Sequence, residues 1–251
     1  MVNLNHQPVH NDVHINGSVT LSGTAILDDI NLTIKAGQWT ALLGQSGSGK
    51  STLLRLIAGL DTGADFTGSI TCSPQVSLSD NVSYMAQDDL LLDWANVLQN
   101  VCLGARLRGQ GSDETKAKRI IQKVGLNQHA HKRPPSLSGG QRQRVALART
   151  LMEQKSIILL DEPFSALDAR TRTDMQDLAA KQFKERTVIL VTHDPGEAVR
   201  LCQSIYLLQD CSLNSITALS PPFPKSINDK AMFALQSALM TQIRQSERAD
   251  I

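Results

Sequence analysis

Apolar and polar residues alternate from about Val13 to Ile34, a stretch punctuated by Asn16-Gly17 and Ser22-Gly23. Period-two alternation broken by such pairs predicts an antiparallel β layer with turns at both glycines. The next segment, "WTALLG" (39–44), is almost continuously apolar, as a short buried strand is, and it runs directly into a glycine-rich loop. "KSTLLRLIAGL" (50–60) has helical spacing, and Gly59 is placed to stop it. From about Asp88 to Ala148 the chain reads mainly as helix, with "RLRGQGSD" as a loop inside it. Two more buried strands, "SIILLD" (156–161) and "TVILVT" (187–192), flank a helix expected from about Ala169 to Glu185. "ALSPPFPKSIND" reads as a linker. Beyond it Met232, Leu235, Leu239 and Ile243 fall on one face of a last helix, expected to pack on the chain's own core.

Strand, glycine loop, helix and further strands imply an α/β fold: a parallel sheet covered on both faces, an antiparallel β layer, and a helical insertion between the halves of the sheet. The 251 residues are enough for one such domain. The expected division is a catalytic core over 1–87 and 149–215, a helical subdomain over 88–148, and a linker with a C-terminal helix over 216–251. No apolar run approaches 18 residues, so if the protein works at a membrane, other subunits must supply the spans. The N-terminal "MVNLNHQPVHNDVHING" lacks a basic region followed by an apolar one, and no signal peptide is expected.

Charge and composition narrow the function. A formal net charge of +1 and 4% aromatic residues give no support to nucleic acid as a partner. Four scattered cysteines without a CxxC pair suggest a reduced, intracellular chain without structural zinc. His6, His10 and His14 have the spacing of metal ligands on a helix. Pro8 and the surrounding Asn and Asp residues argue against a helix there, so a solvated terminus is expected.

The chemistry lies in three segments. "GQSGSGKST" (44–52) matches the P-loop pattern through Gly44, Gly49, Lys50 and Ser51, and it sits between a strand and a helix as that motif requires. Its glycines let consecutive N–H groups face a phosphate, Lys50 neutralises the β- and γ-phosphates, and the Ser51 hydroxyl is a Mg²⁺ ligand. In "IILLDE", Asp161 ends a strand where ligands bind in open α/β sheets and is expected in the Mg²⁺ shell, with Glu162 as the general base for water. His193, at the end of "TVILVT", is placed to reach a γ-phosphate. The third segment, "LSGGQRQRVALART" (137–150), puts two glycines before a helix, another anion-binding arrangement. It has no lysine of its own. An ordinary helix cap at Ser138 is the plain alternative.

Taken in order, these segments resemble the nucleotide-binding subunit of an ABC transporter over about Gly17 to Asp210. The motifs are "GQSGSGKST" (Walker A), Gln87 in "MAQDD" (Q-loop), "LSGGQ", "IILLDE" (Walker B), "SALD" ending at Asp168 (D-loop) and His193 (H-loop). The resemblance implies a RecA-like P-loop NTPase core that uses ATP and Mg²⁺. ATP would contact Gly44, Gln45, Ser46, Gly47, Ser48, Gly49, Lys50, Ser51 and Thr52. From a second copy paired head to tail it would contact Ser138, Gly139, Gly140 and Gln141. Gln87 would sense Mg²⁺ and the attacking water beside Ser51 and Asp161, and Asp168 would reach across the interface. It further implies an integral membrane permease, an extracytoplasmic solute-binding protein acting indirectly, and a peripheral position on the cytoplasmic face of the inner membrane.

Two departures qualify the resemblance. Relatives place an aromatic side chain upstream of Walker A to stack on adenine, whereas "SVTLSGTAIL" has none and Leu21 falls nearest the place. Weaker ATP binding, or less discrimination against GTP, follows. After the Q-loop, Leu90, Leu91, Leu92 and Trp94 either pack the helical subdomain or dock the permease. The segment is similar to importers of nitrate, sulfonate, taurine and thiamine pyrimidine precursors, although Asp93 replaces the usual Pro before Trp94. The Leu-rich strip and the C-terminal helix favour the thiamine-precursor members. The alternative class is a soluble ABC ATPase acting on nucleic acid or ribosomes. A single cassette without a long coiled coil disfavours it. A P-loop kinase would leave LSGGQ and His193 unexplained.

Overall fold

The computed structural model describes residues 12–73 and 77–249, so His6 and His10 lie outside it. In chain order, β1 (Asp12–Leu21) and β2 (Thr24–Ile34) lead to β3 (Trp39–Gly44) and α1 (Lys50–Ile57). Next come β4 (Asp65–Ser73), α2 (Leu78–Asn81) and β5 (Val82–Met85). A helical stretch follows: α3 (Val97–Val101), α4 (Leu103–Leu107), α5 (Glu114–Lys123) and α6 (Gly139–Met152). The chain continues through β6 (Ile157–Asp161), α7 (Ala169–Gln182), β7 (Thr187–Thr192) and α8 (Pro195–Leu201), then β8 (Ser204–Gln209), β9 (Ser212–Ile216) and α9 (Lys230–Ala249). The α/β architecture, with a parallel sheet and antiparallel strands, is as the patterning implied.

Two compact units share this chain. Of the described residues, the first comprises 12–73, 77–82, 156–161 and 184–249; the second comprises 83–155 and 162–183.

In the first unit, β2, β1 and β4 form an antiparallel sheet, and the strands β6-β7-β3-β8-β9 lie side by side in that order. The β3, β6 and β7 strands pair in parallel and are buried along their whole length, which explains why they read as apolar runs rather than alternating ones. Leu21 pairs with Thr24, leaving Ser22 and Gly23 as a two-residue hairpin turn with φ of 50° and 80°, the type I′ geometry. The other glycine expected to turn the chain does not. Asn16-Gly17 lies inside β1, and the reason is cross-strand packing. Gly17 pairs with Gly68, and a Cβ on Gly17 would stand 2.2 Å from the Thr67 carbonyl oxygen. Two backbones meet there at a distance only glycine allows.

The helix α1 buries Lys50, Leu53, Leu54 and Ile57, one face at i, i+3, i+4 and i+7. It ends as expected at Gly59, whose N–H donates to Leu56 O at 3.0 Å while Leu60 N–H donates to Arg55 O at 3.0 Å. The proline-rich segment before α9 is docked: Lys225 is buried, and its N–H donates to Arg200 O at 2.8 Å.

In the second unit, α3, α4 and α5 pack on α6, which contributes Val145, Ala146, Leu147 and Ala148 to the buried interior. Asn100, wholly buried, is tied into the loop before α3. It accepts from Leu92 N at 2.8 Å and donates to the carbonyls of Leu92, Ala95 and Asn96 at 3.0–3.2 Å. Such complete pairing is what a buried carboxamide requires.

Candidate functional site

The glycine loop grows out of β3 and closes on α1. Gly49 caps the helix at φ 92°, where a side chain would be strained, and a Cβ there would lie 2.3 Å from Ile26 Cγ2. Lys50 begins the helix and is only 4% exposed. Its Nζ donates to the Gln45 carbonyl and, at 3.3 Å, to Ser48 Oγ, so the cation is drawn back across the loop. Buried cations of this kind need fixed acceptors, and phosphate oxygens are better ones than a carbonyl. Ser51 Oγ donates to Asp161 Oδ1 at 2.9 Å, and Asp161 is wholly buried at the end of β6. A hydroxyl and a carboxylate side by side are hard oxygen donors of the kind Mg²⁺ takes. Among the described residues no group of three or more His, Cys, Asp or Glu side chains could hold a metal ion. Ser51 and Asp161 are two of the ligands such a cation would take.

His193 reaches the same edge of the sheet. Asp161 pairs with Val191 and Leu43 with Thr192, so β6, β7 and β3 end level, with His193 one residue beyond β7. Adjacent strands are about 4.8 Å apart. Two residues that the sequence did not single out fix this corner. Thr192 Oγ1 donates to Glu197 Oε2 at 2.8 Å and accepts from Asp194 N at 3.0 Å, pinning the backbone on both sides of His193. Glu197 is buried on α8; in sequence it reads as an ordinary polar position of a helix.

A cavity of about 460 Å³ opens beside the loop, lined by residues 24–27, 44–48 and 207–211 and by Ile243 of α9. Leu21, nearest the place expected for an aromatic, is 44% exposed and is not part of this lining.

In the second unit, Ser138 caps α6 through a reciprocal pair. Its Oγ accepts from Gln141 N at 3.3 Å, and its N–H donates to Gln141 Oε1 at 2.9 Å. The Gln141 side chain is thus engaged in the cap, while Ser138 and Gly139 stay exposed. The cation of the first turn is occupied too: Arg142 Nε donates to Asp89 Oδ2 at 2.9 Å and Nη1 to Leu137 O at 2.9 Å. Further along the same helix, Arg149 forks to the carbonyls of Leu90 and Asp89 at 2.8 and 2.7 Å. These two arginines of α6 hold the loop that follows Gln87, which is itself exposed just past β5. On that loop Leu90 and Trp94 are 62% and 73% exposed, whereas Leu91 and Leu92 are half-buried.

Glu162, immediately after Asp161, has φ 47°, a left-handed conformation uncommon for glutamate and typical of strained functional positions. Its carbonyl accepts from Gln143 Nε2 at 3.0 Å and Ser165 Oγ at 3.1 Å. Asp168 caps α7 by accepting from Thr171 N at 3.1 Å. The Thr171 hydroxyl and N–H hold its carboxyl below the usual aspartate range.

Comparison with known proteins follows the same lines. The family model described as ABC transporter matches residues 27–165. The chain is 43% identical over 234 residues to an uncharacterized ABC transporter ATP-binding protein of Haemophilus influenzae, covering 90% of this chain and 95% of that one. It is 40% identical over 222 residues to the aliphatic sulfonates import ATP-binding protein SsuB of Escherichia coli K12, covering 88% and 86%. Among solved structures, the dimeric bacterial ABC transporter cassette MJ0796 superposes with a TM-score of 0.74 at 28% identity over 83% of this chain. A dimeric post-hydrolysis state of that cassette bound to ADP and Pi gives 0.73 at 29% identity.

Proposed function

We propose that this chain, which belongs to the ABC transporter family as an ATP-binding, ATP-hydrolysing subunit, closes head to tail with a second copy on two ATP molecules and so drives a membrane permease. The observation that carries this reading is the division of labour between two anion-binding elements. The loop at 44–52 has its own cation and hard-oxygen pair. The α6 N-terminus offers a capped helix end with Ser138 and Gly139 exposed, and its first-turn arginine is already committed to Asp89. The second element can complete a site and cannot make one. The dimeric state of the similar MJ0796 cassette supports this reading.

In the closed pair, the loop amides and Lys50 hold the β- and γ-phosphates, and Ser51, Asp161 and Gln87 hold Mg²⁺, whose contribution is to neutralise phosphate charge. Glu162 takes the proton of the attacking water, and His193 binds the γ-phosphate. Ser138, Gly139 and Gly140 of the other copy donate to that same γ-phosphate; the Ser138 hydroxyl accepts in its cap, which leaves its proton for the phosphate. Asp168 lies at the junction. Loss of the γ-phosphate removes the shared ligand and the pair opens.

The described residues include no helix long and apolar enough to cross a membrane, which fits a peripheral subunit on the cytoplasmic face of the inner membrane. The exposed Leu90 and Trp94 are the proposed seat of the permease. SsuB is an importer subunit, which favours uptake of a small solute of the sulfonate or nitrate type, or a thiamine pyrimidine precursor, over action on nucleic acid or ribosomes.

The test is mass in solution. Glu162→Gln with Mg²⁺ and saturating ATP should double its mass by light scattering, and Ser138→Arg in that background should abolish the doubling. A Glu162→Gln protein that stays monomeric, with Ser138→Arg hydrolysing ATP at the parental rate, would end the proposal.

A further inference from the structure

We infer that the C-terminal helix is part of the nucleotide site: Ile243 of α9 covers the purine base, in the role an aromatic side chain would otherwise fill. The inference rests on the glycine loop being the ATP site.

The cavity beside that loop is lined by its first half, residues 44–48, and by Ile243. Lys50 and Ser51, which serve the terminal phosphates, do not line it. It therefore lies next to the phosphate cradle, where the nucleoside of a bound triphosphate has to go. Its volume of about 460 Å³ is of the size that accepts a ligand such as a nucleoside. Its lining includes the aliphatic side chains of Ala25, Ile26, Leu207 and Ile243. Aliphatic groups pack well against the flat face of a purine through dispersion.

The helix that brings Ile243 there is firmly anchored. Asp229 Oδ1 accepts from Ala231 N at 2.8 Å and Met232 N at 3.2 Å. Met232 and Leu239 are buried on the face that also bears Ile243, and α9 packs on α8. At the far end of this face Ile243 is only half-buried, at the edge of the cavity, and its carbonyl accepts from Gln45 Nε2 at 3.5 Å. The helix thus meets both the base pocket and the second residue of the loop. Leu21, by contrast, is outside the lining.

The experiment uses the full chain and two probes, MgATP and inorganic tripolyphosphate. Ile243→Ala should raise KM for MgATP about five- to tenfold with kcat within about twofold, because the base is left without its aliphatic cover. Inhibition by tripolyphosphate, which has no base, should keep its parental constant, and Ile243→Leu should restore KM. An unchanged KM in Ile243→Ala overturns the inference. So does an equal weakening for ATP and tripolyphosphate, because Ile243 would then support the loop through Gln45 instead of touching the base. The underlying reading fails separately: Lys50→Ala would then hydrolyse ATP at the parental rate.

Discussion

The carboxamide of Gln143 donates to the main-chain carbonyl of Glu162 at 3.0 Å and to Ser165 Oγ at 3.2 Å, while its own oxygen accepts from Ala166 N at 2.9 Å. One buried side chain on α6 therefore holds the loop that carries the proposed general base, whose backbone is left-handed at φ 47°. These three hydrogen bonds brace the loop around that conformation. Gln143→Ala removes all three bonds: the Ala166 N–H loses its acceptor, at about 1–3 kcal/mol, and the Glu162 carbonyl keeps only its bonds from Ser165. The expected outcome is a kcat at least about tenfold lower with KM for ATP within twofold. A parental kcat in Gln143→Ala would show that the loop holds Glu162 unaided.

Ser51 and Asp161 share a 2.9 Å hydrogen bond at the proposed Mg²⁺ position. Ser51→Ala should raise the Mg²⁺ needed for half-maximal hydrolysis by about tenfold or more, since even indirect supports of a metal site are worth that much. Chelation of Mg²⁺ should reduce hydrolysis to background. Turnover in EDTA would exclude these residues as a metal site.

"SVTLSGTAIL" carries no aromatic side chain, and in the proposed site base discrimination falls to aliphatic ones. GTP and ATP should be hydrolysed at rates within a few-fold of each other. Leu21→Tyr should lower KM for ATP, by about fivefold or more if the new ring stacks on the base for about 1–3 kcal/mol. A marked preference of the parent chain for ATP in a side-by-side assay contradicts this.

Cysteine chemistry offers a separate view of the cavity. Cys72, Cys102 and Cys202 are buried, and burial pushes their thiols up, with Glu197 adding to the effect at Cys202. Less thiolate and no access make them slow nucleophiles. Cys211 is exposed and lines the cavity at the glycine loop. A maleimide should modify Cys211 first, and saturating MgATP should slow the reaction several-fold. Equal rates with and without nucleotide, by mass spectrometry, would place the base elsewhere.

Asp168 is held below the usual carboxylate range by Thr171. A depressed value means the ionised cap is favoured in the folded chain above the ordinary aspartate range and is lost as pH falls through the lowered value. Thr171→Val should move the Asp168 titration upward in an NMR pH series. An unmoved titration would assign the shift to another cause.

Trp94, 73% exposed, and Leu90 should matter only with the permease present. Trp94→Ala should keep basal ATPase activity within about twofold and lose co-purification with the permease, as truncated aromatic anchors do at interfaces. A variant that still co-purifies would point the docking surface elsewhere.

Much of this protein is local and therefore legible in its sequence. Buried parallel strands announce themselves as apolar runs because both faces are covered, and β3, β6 and β7 stand where such runs occur. The glycine loop and the Gly59 stop depend on backbone dihedrals that one residue type supplies, so spacing alone reveals them. Ser138 caps its helix from three residues away, within reach of a pattern read along the chain.

What stayed hidden joins residues far apart. Gly17 reads as a turn because its real constraint, Gly68 on a neighbouring strand, is 51 positions distant and only pairing brings it close. Gln143 and Arg149 look like ordinary polar positions of a helix. Their partners lie in segments that only folding delivers, such as Glu162 for Gln143 and Leu90 for Arg149. Ile243 is legible as one residue of an apolar face, and its arrival beside Gln45 was decided by the docking of α9. Periodicity carries the direction of a side chain from its own helix or strand; the identity of what it meets is a property of the packed chain.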